Sequence, residues 1–249
     1  MKKKKFLSAV LAAGLLASTV PATAWASEPN TEPVATEQAS ARSSEDWVID
    51  GGQAGTDYTI EDDVVTIRTS THLTFGGENQ QYYVKVPEGV TANVTLKATE
   101  KDHANITIRE LAVNSVLNIS QTGDYWSSSI DLSDSNSTGF NGKLIINDTD
   151  GSGNIYLDSS NDFYVDGSVV IKNGEVNVGI YNNWNLKDFT IYQGNVNFSF
   201  NNQYCPLQLE NFAIYGGEVD FNLESSGWTT AVDATNCTIT GGNIAVRDQ

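Results

Sequence analysis

The chain has very little of the residues that carry most protein chemistry: two cysteines and two histidines in 249 residues. Two cysteines cannot make the disulfide framework of a small secreted scaffold. Cys237 falls at an inward strand position and Cys205 in or beside a loop, so both read as free thiols or packing residues. His72 and His103 stand in no motif with an acid and a nucleophile. Basic side chains are also scarce, with 14 Lys and Arg against 31 Asp and Glu, a formal net charge of −17. Such a surface repels nucleic acid and anionic membrane, and suits a cation, a neutral or basic ligand, or plain solubility. An acidic polysaccharide would need a bridging metal. Helical periodicity is absent beyond residue 26, which excludes folds built on crossover helices.

The first stretch, MKKKKFLSAVLAAGLLASTVPATAWA, has four lysines, an apolar run and small residues at Ala24 and Ala26. It reads as a secretory signal peptide, residues 1–26, cut after Ala26. The run is too short for a membrane anchor, so a secreted, extracellular bacterial protein without membrane insertion is expected. No sorting motif, closing apolar span or basic tail marks attachment to a surface. Cleavage removes Lys2, Lys3, Lys4 and Lys5 from the 14 basic residues and none of the 31 acids, which leaves −21. Residues 27–46 are polar and acidic with almost nothing to bury, as in a disordered linker. Residues 47–249 are long enough for one domain with a substantial core.

Within that domain one phrase recurs. VVIKNGEVNV fills 169–178, FTIYQGNVNF 189–198, FAIYGGEVDF 212–221 and CTITGGNIAV 237–246, with starts 20, 23 and 25 residues apart. Each copy holds two runs of period-2 alternation, the mark of strands with one buried face. Between them stands Gly174, Gly194, Gly217 or Gly242, a corner suited to positive φ. A further apolar pair in each repeat (Phe163/Val165, Trp184/Leu186, Leu207/Leu209, Val232/Ala234) makes three short strands per coil of about 20–25 residues. A looser version runs upstream through Val65/Ile67, Leu73/Phe75, Val94/Leu96, Ile106/Ile108, Leu117/Ile119, Ile130/Leu132 and Leu144/Ile146. This grammar predicts an all-β parallel β-helix over 47–249, whose coils share one interior because none buries its apolar face alone. A β-sandwich would want hairpin turns and would not give a constant corner at a regular period.

The phrases DYTIEDDVVTIRTSTHLTF (57–75) and VPEGVTANVTL (86–96) resemble the start of β-helical carbohydrate-binding-type domains in secreted and surface, adhesin-like proteins of gut anaerobic bacteria. The resemblance covers about 47–246. It implies a right-handed helix, export, and adhesion or glycan binding, sometimes with calcium, and it carries over no individual ligand residue.

Two places are candidates for chemistry. The loop after the first strand varies in length: five residues after Val178, eight after Phe198, ten after Phe221 and ten after Ile119. Insertions at one corner of a solenoid emerge on one face, often the binding face. Tyr125, Trp126, Tyr181, Tyr204 and Trp228 collect there, and sugar C–H faces can lie on such rings. The same rings could instead seal the core, as Trp184 and Phe163 are expected to do. In DTDGSGNIYLDSS (148–160), Asp148, Asp150 and Ser152 fall at positions 1, 3 and 5 of a calcium loop, with Asp158 near its end. Position 12 is Ser159, so the bidentate acid is missing, and a solvated corner is the competing reading. Asn93, Asn105, Asn118, Asn136, Asn147, Asn197 and Asn236 begin Asn-x-Ser/Thr triplets and read as polar strand faces, not glycosylation sites.

Catalysis has little support. NDTD at 147–150 resembles the Asn-Thr-Asp of polygalacturonases, but no Gly-Asp-Asp, Gly-His-Gly or Arg-Ile-Lys follows. The expected protein is a secreted, non-catalytic β-helix that binds a polysaccharide or host glycan, with calcium as the one cofactor the spacing suits. A self-associating structural spacer or stalk is the alternative, and a polysaccharide lyase or hydrolase the third reading. After Val246 only Arg247, Asp248 and Gln249 follow, and these supply no polar cap. The last coil is therefore expected to be covered by another copy or continued by a longer array.

Overall fold

The computed structural model describes residues 47–101, 103–123, 127–133, 139–149, 153–200, 206–223 and 231–248. The signal peptide and linker expectations lie outside the described residues. In chain order the strands are β1 (Val48–Asp50), β2 (Tyr58–Glu61), β3 (Val64–Ile67), β4 (His72–Gly76), β5 (Gln80–Val86), β6 (Thr91–Lys97) and β7 (Ala104–Leu111). There follow β8 (Val116–Thr122), β9 (Ser128–Asp131), β10 (Lys143–Asn147), β11 (Asn154–Asp158), β12 (Phe163–Tyr164), β13 (Ser168–Asn173) and β14 (Glu175–Ile180). The last are β15 (Trp184–Ile191), β16 (Asn195–Phe200), β17 (Leu207–Ile214), β18 (Glu218–Leu223), β19 (Val232–Ile239) and β20 (Asn243–Asp248). No helix occurs among the described residues.

The strands form two sheets, and the chain alternates between them. The first runs β1-β4-β6-β8-β10-β13-β15-β17-β19, with β12 beside β15; the second runs β2-β3-β5-β7-β9-β11-β14-β16-β18-β20. From β3 and β4 onward every pairing between strands is parallel. This is the expected parallel β-helix. Val176, Val196, Val219 and Ile244 stack in register, at the 20, 23 and 25-residue spacing of the repeated phrase. Between paired parallel strands the longest spacing is 27 residues, as from Leu117 to Leu144.

Stacking in register puts like side chains over like at the strand spacing of about 4.8 Å. The rings of Phe198 and Phe221 show it, with centroids 4.9 Å apart and planes 6° from parallel. The inward pairs read from the sequence are buried through the body of the solenoid, Phe163 and Trp184 among them. In β15, β17 and β19 the second and third strands of a coil are one continuous strand, as in Trp184–Ile191, whereas β12 and β13 stay separate. At the middle of β15, Lys187 and Asp188 both face outward, and the ladder skips Lys187 between its two halves. Two successive outward residues are how a strand turns a corner without losing its buried face on either side. The first strands also run one inward residue further than the alternation suggested, adding buried Ile180 and Phe200 and partly buried Leu223.

The amino end closes differently. Asp62 and Asp63, both at positive φ (49° and 60°), turn β2 back on β3 as an antiparallel hairpin, the geometry of a two-residue primed turn. β1 lies antiparallel on β4. Trp47 packs on Tyr82 with centroids 4.9 Å apart. The Tyr82 hydroxyl accepts the Val48 N–H at 2.9 Å and donates to the Gly76 carbonyl at 2.6 Å. Both sheets thus end in antiparallel strands over a covered core. The opposite end is bare among the described residues: Ile239, Ile244 and Val246 are 55%, 40% and 67% exposed, and Cys237 is an exposed free thiol.

Candidate functional site

Two kinds of connection alternate around the coil. Segments from the first sheet to the second include the glycine corners, and segments from the second to the first include the longer loops. The glycines of the four phrases stack on one another. Gly174, Gly194, Gly217 and Gly242 have φ of 118°, 103°, 86° and 91°. A Cβ on Gly194 would collide with the carbonyl oxygen of Gly174, one on Gly217 with that of Gly194, and one on Gly242 would sit 2.8 Å from that of Gly217. Those carbonyls accept the N–H groups of Asn195, Glu218 and Asn243 at 2.8–2.9 Å. Positive φ and close backbone approach together explain why no other residue stands there.

A floor without side chains leaves a groove of about 330 Å³ along this edge, lined by Asp148, Asn173, Gly174, Glu175, Gln193, Gly194, Asn195, Gly217 and Glu218. One wall is a register row, Glu175–Asn195–Glu218, with all three side chains exposed. On the other side of the corner, Tyr192 and Tyr215 occupy equivalent positions in successive coils. Their rings stack at 5.1 Å with planes 19° apart, and they are 51% and 46% exposed. Lys172 holds the same position one coil earlier, and Thr240 one coil later. A stacked, half-exposed aromatic pair beside a groove of amides and carboxylates can take a ring with one apolar face and hydrogen-bonding edges.

No protein-family model, curated protein or solved structure matches this chain.

Of the five aromatic residues expected on one face, only Tyr181 lies among the described residues. β8 belongs to the first sheet and β9 to the second, whereas β14 belongs to the second and β15 to the first. Leu117 and Ile119 are thus inward as expected, but in the other sheet from Val176 and Val178. Tyr125, Trp126, Tyr204 and Trp228 themselves lie outside the described residues. Tyr181 is 45% exposed and its ring folds back over β14, where a Cβ on Gly179 would meet it at 2.5 Å. It stands at the far end of β14 from the groove, about 17 Å away by strand rise.

The four residues considered for calcium are also divided. Asp150 and Ser152 lie outside the described residues. Asp148 is buried, with its Oδ1 3.4 Å from the Gln121 N–H it accepts. Asp158 ends β11, a strand whose other end follows the Asp148 loop, so about 13 Å of strand separates it from that corner. Its neighbour is Asp131, paired with it in register on β9. Burial, and then the negative charge of Asp131, raise the Asp158 carboxyl above its ordinary value. Among the described residues no group of three His, Cys, Asp or Glu side chains is placed to hold a metal ion.

Tyr192, Tyr215, Glu175 and Glu218 were not singled out from the sequence. The signal was in the repeated phrase itself: IYQG and IYGG put a tyrosine in the same outward place in consecutive copies. Among the Asn-x-Ser/Thr asparagines, Asn136 lies outside the described residues, and Asn93, Asn118, Asn197 and Asn236 are on polar strand faces, as read. Asn118 donates to Asn93 at 3.0 Å, Asn197 to Asn177 at 3.2 Å and Asn236 to Asn211 at 2.9 Å.

Proposed function

We propose that the protein is an exported, non-catalytic module that binds glycans and so adheres to a polysaccharide or a host surface, in keeping with the adhesin-like domains its opening phrases resemble. The observation that carries this reading is the Tyr192–Tyr215 stack on the glycine edge, beside an open polar groove. Exposed aromatic pairs that do not seal a core are the surface a sugar ring uses. The histidines favour binding over catalysis, since both are engaged between coils. His72 Nε2 lies 2.8 Å from Thr95 Oγ1, and His103 Nε2 lies 2.5 Å from the Ser127 carbonyl. Retention of the secreted chain on immobilised polysaccharides tests the proposal. Tyr192→Ala and Tyr215→Ala should each weaken retention severalfold with the melting temperature almost unchanged, because both rings are half exposed. Retention equal to wild type in the double variant would overturn the assignment of this site.

A self-associating spacer is the second reading, and the uncovered coil of β19 and β20 favours it. Phe212, Phe221, Leu223, Val232, Cys237 and Val246 line an apolar hollow of about 330 Å³ there, next to two strand edges without a described neighbour.

A further inference from the structure

We infer that the polymer held on the glycine edge is a cationic one: an extended β-1,4-linked polysaccharide bearing protonated amino sugars, lying along the solenoid axis. This rests on the glycan-binding reading and names the class of glycan. The tyrosine stack fixes the direction. Tyr192 and Tyr215 repeat from coil to coil at 5.1 Å, and an extended 1,4-linked pyranose chain advances per ring by close to one coil spacing, about 4.8 Å. A polymer running along the axis therefore meets an equivalent surface at two successive sugars, between Lys172 and Thr240 in the flanking coils.

The wall of the groove selects the charge. Glu175 and Glu218 face it from alternate coils with Asn195 between them. Neither carboxylate has a hydrogen-bond or ion-pair partner among the described residues, whereas Asp50, Glu110 and Asp220 are paired with Lys97, Lys85 and Arg247. Successive rings of an extended β-1,4 chain are turned over, so amines on one side recur at every second ring. The carboxylates likewise recur at every second coil, about 9.6 Å apart. Asn173, Gln193 and Asn195 supply donors and acceptors for hydroxyls. The net charge of −17 draws a polycation in and keeps anionic polymers out. Lys172, the one cation in the outer row, stands beyond the tyrosines at the end of the stack.

Calorimetry on the secreted chain tests this with three oligomers of equal length: deacetylated β-1,4-glucosamine, its N-acetylated form, and a neutral β-1,4-glucan. The deacetylated oligomer should bind about tenfold more tightly than the others at low salt, the scale of two exposed charge pairs. That preference should shrink in 1 M salt, where the screening length is about 3 Å. Glu175→Gln/Glu218→Gln should bring it to within about twofold while neutral binding persists. Glu88→Gln/Glu100→Gln removes the same charge from exposed positions outside the groove and should leave the preference intact. Equal binding of all three oligomers, or an equal loss in both double variants, would overturn the amino-sugar assignment and leave glycan binding standing. Binding of none would overturn both.

Discussion

Gly194→Ala should be the most damaging single-methyl change on the glycine edge, and its cost divides into parts the structure separates. Gly194 sits at φ 103°, well outside the left-handed region that alanine tolerates, so the backbone must strain or rotate at roughly 1–3 kcal/mol. The new Cβ also points into the Gly174 carbonyl oxygen, which accepts the Asn195 N–H at 2.9 Å. Moving that carbonyl loses or lengthens a bond between coils, about 1 kcal/mol. The sum is about 2–4 kcal/mol, which for a domain of this size lowers the melting temperature by roughly 4–16 °C. Gly89→Ala is the control. Gly89 also has positive φ, 75°, but a Cβ there meets nothing within 4 Å, so only the conformational part applies, about 1–2 kcal/mol. Thermal unfolding followed by far-UV circular dichroism measures both. If Gly194→Ala costs no more than Gly89→Ala, close coil approach is not what reserves the corner for glycine.

Three further outcomes follow from individual side chains. Burial and Asp131 raise the Asp158 carboxyl, so the folded form holds that proton more tightly than the unfolded chain, and stability falls as pH rises from the ordinary value of 3.8 through the raised one. Asp158→Asn should therefore raise the melting temperature at pH 7 and lose its advantage in acid; a variant less stable at pH 7 would refute the sign. Asp148→Ala should lower stability by about 0.5–1.5 kcal/mol, the worth of an ordinary hydrogen bond, equally in calcium and in chelator. A loss seen only in calcium would give the 148–152 loop a metal role. Ile244→Lys with Val246→Asp should shift any assembly toward monomer in light scattering if the bare coil associates, and an unchanged distribution would remove that surface from the account.

Coil period, inward pairs and corner glycines were legible because register stacking repeats the same demand on every coil. Each position faces the core, the solvent or a neighbouring carbonyl in every copy, so the pattern is written several times over. Assignment to a sheet was less legible upstream, where the phrase loosens. Leu117/Ile119 and Val176/Val178 alternate alike but belong to opposite walls, because period 2 states which face is buried and not which sheet the strand joins. β5 is less legible although Tyr82, Val84 and Val86 alternate, because Glu78 and Asn79 separate it from its corner glycine, Gly77 at φ 99°, whereas downstream the strand starts directly after the glycine. At the site, attention to variable loops drew the eye from the constant corner. Tyr192 and Tyr215 look like part of the structural repeat, and only the stacking of coils turns one tyrosine per phrase into a paired surface.

The central claim is that ligand binds along the glycine edge, and hydrogen exchange with and without bound β-1,4-linked oligosaccharide tests it most directly. Added protection should fall on the corners Asn173–Glu175, Gln193–Asn195 and Gly216–Glu218, in successive coils, with little change at the opposite loops around Tyr181. Protection centred on Tyr181 and the neighbouring second-to-first-sheet loops, with the glycine corners unchanged, would contradict it.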